Sequence, residues 1–194
     1  SIDRKLFMVS AKPLALWGDN LDGANRSYLD DIDGDYFFSV AETLYAKAKG
    51  CGQSSKRARL ALRFLYLNSL ETFFALLSAS IQAPDCVMGW LMKYQVNDVR
   101  TMLRAINNNE QMFNKWDLDT VNWENVFQAL FPFSRKISHY ERIETAFCTA
   151  WKILSSDFLN DISQREYNSI KHGFRCSFNP IRSLSITSEG NSIN

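Results

Sequence analysis

The chain has 194 residues, 46% of them hydrophobic and 13% aromatic, and a formal net charge of +1 from 22 basic and 21 acidic residues. So even a balance excludes nucleic-acid binding by bulk charge, though not a local basic site. Four prolines and eight glycines suit long helices better than a turn-rich sandwich, and the length leads us to expect one domain over 1–194.

Residues 1–35 read as an irregular N-terminal segment. Asp19, Asp22, Asp30, Asp31, Asp33 and Asp35 crowd it, with Gly18, Gly23 and Gly34 among them. A calcium loop needs oxygen ligands at alternating positions and a terminal Glu. Counting back from Gly34 puts Leu29 at the first ligand position and Val40 at the last, so the pattern fails and acidic surface loops are expected.

Tyr36 to Lys49 reads as the first helix, stopped by Gly50. Ser55 can cap a second helix running to about Gln82. Its apolar stretch, Leu60 to Ile81, is interrupted by Arg63, Asn68 and Glu71, which points to a buried core helix rather than a membrane span. After Pro84, Asp85 can cap a third helix reaching about Ile106, and Asn107, Asn108 and Asn109 then break the pattern. Thr120 to Leu130 reads as a short amphipathic helix ending near Pro132. Ser138 to Leu159 is the clearest helix: Ile143, Phe147, Ala150, Leu154 and Phe158 recur at helical spacing, and Phe147, Trp151 and Leu154 are expected to be buried. A last short helix, Ser163 to His172, ends at Gly173. In the C-terminal tail, 174–194, Leu184 and Ile186 alternate weakly and suggest a small β-hairpin, and Glu189 to Asn194 is polar. The expected fold class is all-α, a bundle of about five to seven helices.

Chemistry concentrates near the C-terminal end. At about 100° per residue, Arg165, Asn168 and His172 fall on one stripe of the last helix, while Tyr167, Ile170 and Phe174 fall on the other. An Arg guanidinium can hold a phosphate with two parallel hydrogen bonds, and a His titrates near neutral pH and can move a proton. Together they suit binding of a phosphodiester and assistance to attack by a ribose 2′-hydroxyl. Asn168 can position the phosphate or fix the imidazole tautomer. The plainer reading of the same residues is the polar face of an amphipathic helix with a common helix-ending sequence.

An Arg followed after a short spacer by His, on a late helix of a small all-helical protein, resembles the HEPN superfamily. Here the spacer is the six residues Glu166 to Lys171. The ending Asn168-Ser169-Ile170-Lys171-His172-Gly173 looks like the N-x-x-K-H-G ending of several bacterial HEPN-like branches. The resemblance implies a metal-independent ribonuclease site with Arg165 as the phosphate-binding residue and His172 as the catalytic His. It also implies a homodimer, a bacterial toxin or phage-defence setting, RNA or nucleotide as ligand, and a protein antitoxin as partner. One departure is Glu166, where the family often has Asn, Asp or His; a carboxylate there repels RNA phosphate unless it turns away. Inactive members exist, so the alternative is a non-catalytic helical interaction or dimerisation module.

Other residues carry weaker signals. Glu71 sits in the most apolar helix and either orients His172 or Arg165, makes a structural ion pair, or takes an edge position in solvent. Lys56, Arg57, Arg59 and Arg63 either track a phosphate backbone or form a solvated helix face. His139 reads as a surface residue. Trp90, Trp116, Trp123 and Trp151 could build an aromatic small-molecule pocket, the third functional reading. Cys51, Cys86, Cys148 and Cys176 are scattered, with no CxxC and no metal-ligand spacing, so reduced thiols, no metal and no cofactor are expected. With no secretory or lipidation pattern, the expected setting is cytoplasmic, without a membrane partner.

Overall fold

The computed structural model describes residues 21–83, 86–110, 121–132 and 138–171. Among them are eight helices and no strand: α1 (Leu21–Asp30), α2 (Tyr36–Ala48), α3 (Gly52–Gln82), α4 (Val87–Lys93), α5 (Val96–Asn107), α6 (Trp123–Leu130), α7 (Tyr140–Leu159) and α8 (Asp161–Lys171). The all-α class therefore stands, with more helices than the five to seven expected. The C-terminal hairpin falls on 174–194, outside the described residues.

The extra helices have local causes. α1 occupies part of the segment expected to be irregular, and Asn25, buried within it, accepts the backbone N–H of Met88 at 3.0 Å, which fastens α1 to α4. The single helix expected from Asp85 to Ile106 is two, because Gln95 is extended and its N–H bonds the Asp98 carboxylate at 3.3 Å, starting α5 afresh. Asp85 itself lies outside the described residues.

α3 is the spine: α2, α4, α5, α6, α7 and α8 all pack on it. Its 31 residues give a rod about 46 Å long. By length and composition it could cross a bilayer, and 28% of its most apolar stretch is buried in the bundle. Between Leu60 and Gln82 only Thr72 and Phe73 are exposed, and the other residues are buried or half-buried under the helices packed on α3. The covered side supplies Leu70, Phe74, Leu77 and Ile81. Against them α5 sets Val99, Met102, Leu103 and Ile106, the i, i+3, i+4, i+7 pattern of a single apolar face. α6 adds Val126 and Phe127, and α7 adds Trp151 and Phe158. Phe74 lies at the centre, with ring centroids 6.3 Å from Trp123 and 5.7 Å from Phe158.

Two expectations about faces are corrected. On α7 the buried positions are Cys148, Trp151, Ser155 and Phe158, and Phe147 is 42% exposed with Leu154 only half-buried. Trp151 is buried as expected, facing Trp123 at 5.9 Å and Phe127 at 6.0 Å, but Cys148 and Ser155 rather than Phe147 and Leu154 turn in beside it. Ser55 does not cap α3. Gly52, with φ of +87°, turns the chain there, and the Ser55 hydroxyl reaches back to donate to the Ala48 carbonyl at 2.8 Å.

Candidate functional site

The last helix is placed by its own first residues. Asn160 turns the chain after α7, and its side-chain oxygen accepts the N–H groups of Ile162 at 2.9 Å and Ser163 at 3.2 Å. α8 therefore starts at Asp161, two residues before the expected start. From the other side Arg100 of α5 closes α7. Its guanidinium, 3% exposed as a residue, donates to the carbonyls of Phe158 and Leu159, both at 3.0 Å, and stands 3.7 Å from Asp161. Burial, then Arg104, lowers its pKa, and Asp161 opposes them. The acceptors are far away in sequence, so no local pattern announces this residue.

α8 sits on α3 through Tyr167. Its ring stacks on Phe64 with centroids 5.5 Å apart, and its hydroxyl donates to the Asn68 side-chain oxygen at 3.2 Å. One turn away, Arg63 donates to the Glu166 carboxylate at 2.9 Å and to the Ser163 hydroxyl at 3.1 Å. The Glu166 carboxylate is thus drawn towards α3, into an ion pair whose two side chains are both open to solvent. The basic cluster at the start of α3 is divided accordingly. Arg59 is spent on the carbonyls of Ala48 at 3.2 Å and Gly50 at 3.4 Å, and Arg63 on α8, whereas Lys56 and Arg57 remain exposed.

A cleft of about 130 Å³ opens between α3, α5 and α8, floored by Leu67, Val96 and Phe158. Of the expected site residues, Glu71, Asn168 and Lys171 line it. Arg165 is exposed on α8, is not among the lining residues, and has no hydrogen bond or ion pair with other described residues. His172 lies outside the described residues. Glu71 meets two tyrosines that the sequence did not single out with it: burial first, then the Glu71 carboxylate, raises the pKa of Tyr94 and of Tyr167. The Lys171 ammonium lies 5.6 Å from the centre of the Tyr167 ring. The cleft thus offers a carboxylate, an ammonium and side-chain amides above an apolar floor.

Among the described residues, Trp90, Trp123 and Trp151 do not line a common pocket. Trp123 and Trp151 fill the core, the former donating to the Asn107 oxygen at 2.8 Å, and Trp90 stacks on Tyr94 at 5.3 Å. Trp116 and Cys176 lie outside the described residues. His139 is exposed, with φ of 67° just before α7. Among the described residues no group of three His, Cys, Asp or Glu is placed to hold a metal ion. No family model, no curated protein and no solved structure matches the chain.

Proposed function

We propose that the chain is a HEPN-like helical protein that acts on RNA at the C-terminal end of α8. The observation that carries this reading is the Arg63–Glu166 ion pair. It gives Glu166 a cationic partner on α3, which lessens the electrostatic objection to the motif, and Arg165 lies in solvent without a carboxylate partner among the described residues. An exposed guanidinium is suited to a phosphodiester, and its charge would stabilise negative charge developing in the transition state. His172, seven residues on, would move the proton as the ribose 2′-hydroxyl attacks phosphorus and the 5′-oxygen leaves. Such proton transfer contributes about 10²–10⁴-fold. The resemblance would further imply a toxin or phage-defence setting and a homodimer with a protein antitoxin.

The test is cleavage of a mixed-sequence RNA, with chelator present, by wild type, Arg165→Ala, His172→Ala and the double variant. Circular dichroism checks the fold of each. Each single change should abolish most cleavage and the double change should be little worse, because groups that act as a unit lose activity non-additively. Equal cleavage by all four would show a contaminant or another site. A folded wild type that cleaves no RNA would favour a non-catalytic helical interaction module, a reading the exposed aromatic side chains of α2 support.

A further inference from the structure

α2 is apolar in composition, yet none of its residues is buried. Its inner side, with Phe37, Val40, Leu44 and Ala48 half-buried, rests on α3. Its outer side carries Phe38, Glu42, Tyr45 and Lys49, spaced i, i+4, i+7, i+11 and therefore on one stripe. Phe38 is 74% and Tyr45 57% exposed, and the Lys49 ammonium lies 4.4 Å from the centre of the Tyr45 ring. Large aromatic rings aligned in solvent on one helix face mark a contact surface rather than scattered exposure.

The charges at the two ends of this stripe say what covers it. Exposed Asp30, Asp31, Asp33 and Asp35 lie at the N-terminal end of α2. Exposed Lys47 and Lys49 lie at its C-terminal end, beside exposed Lys56 and Arg57 of the first turns of α3. The ends are about 20 Å apart, since the helix has 13 residues. A ridge that is acidic at one end and basic at the other is complementary to itself when reversed, which is what a twofold contact between identical chains requires. A parallel arrangement would set like charge on like.

We infer that the outer stripe of α2 pairs antiparallel with the same stripe of a second copy of this chain. The register follows from the rings: Phe38 of one copy packs on Tyr45 of the other. That same register carries Lys49 past the N-terminal end of the partner's α2, towards the Asp33 and Asp35 that precede it. Near the axis the two Glu42 side chains face each other, a like-charge contact that weakens the dimer. No residue of α8 takes part, so this inference shares only the homodimer with the RNA reading: a monomer overturns that homodimer in both, whereas a dimer that responds to α2 substitutions but cleaves no RNA upholds this inference alone.

The test is sedimentation equilibrium of the full chain over a range of concentrations, at low and high salt. Wild type should dimerise, and salt should weaken the dimer. Phe38→Asp should weaken association by more than about tenfold, as loss of an aromatic anchor does. Lys49→Asp should weaken it too, and Asp35→Lys added to Lys49→Asp should restore it. Glu42→Gln should tighten it by about two- to fivefold, the scale of an exposed charge contact. All four positions are exposed, and circular dichroism verifies each fold. A wild type that stays monomeric at high micromolar concentration overturns the inference, whether the stripe is bare or covered by residues 1–20 of the same chain. A dimer indifferent to Phe38→Asp and Lys49→Asp overturns it as well, because its contact lies elsewhere.

Discussion

Arg100 holds the end of α7: its guanidinium donates to the Phe158 carbonyl at 3.0 Å while the same group lies 5.8 Å from the centre of the Phe158 ring. One buried cation thus satisfies two carbonyls that have no partner within their own helix and packs against the core ring beneath them. Arg100→Ala leaves those carbonyls unpaired and should cost about 3 kcal/mol in urea unfolding. Arg100→Lys should recover only part of it, because an ammonium cannot reach both acceptors with a planar fork. A cost below about 0.5 kcal/mol for Arg100→Ala would mean that water replaces the side chain without loss.

Phe74 and Phe147 should separate sharply. Phe74 is fully buried among Trp123, Phe158 and Phe73, so Phe74→Ala should cost about 3–5 kcal/mol. Phe147, 42% exposed, rests on Phe127, Phe131 and Trp151, and its truncation should cost about 1 kcal/mol. Chemical denaturation of both variants checks this; equal costs would return Phe147 to the core.

Tyr66 links α3 to α7 through a hydroxyl that donates to Asp157 at 2.6 Å. Burial, then the Asp157 acceptor, pushes its pKa up to about 12 from the usual 10. Folding therefore favours the protonated phenol, whose contribution to stability is complete below pH 10 and is lost as pH rises through about 12. Tyr66→Phe should destabilise the protein at neutral pH and flatten the alkaline fall in stability relative to wild type. Parallel stability curves for the two proteins between pH 9 and 12 would show that the bond contributes nothing.

Removing Arg63 should expose the effect of Glu166. In Arg63→Ala the Glu166 carboxylate loses its partner and lies one residue from Arg165, so on the proposed RNA reading binding should weaken. Adding Glu166→Gln should restore binding without restoring the contact to α3. Measuring affinity for a single-stranded RNA across the three proteins distinguishes this from a loss of fold. Unchanged affinity in Arg63→Ala would mean that Glu166 does not bear on the RNA surface.

Free thiols should report the packing directly. Cys51 is exposed, whereas Cys148 is buried and burial first, then Glu124, pushes its thiol up to about 11. A thiol reagent at pH 8 should modify Cys51 in the native protein and Cys148 only on unfolding. Rapid native modification of Cys148 would mean that α6 and α7 separate readily.

Periodicity and helix-ending chemistry by themselves determined that this chain is helical. They located α2, the C-terminal limit of α3 and the C-terminal limit of α7 closely, because Gly50, Pro84 and the loss of apolar spacing act within a turn of the residues they stop. They also placed Arg165 and Asn168 on the polar side of α8 and Tyr167 on its packed side. The inward place of Trp151 was legible, but which neighbour joins it was not: Phe147 and Cys148 are adjacent, and only the position of Trp123 on another helix decides that Cys148 turns in. The roles of charged side chains were decided by tertiary structure alone. Arg100 acts on carbonyls 58 and 59 residues away, and Arg63 meets Glu166 across 103 residues. Local sequence registers backbone preference and apolar spacing, which are properties of a few neighbouring residues. A buried cation or a quenched carboxylate is a property of what the folded chain brings beside it.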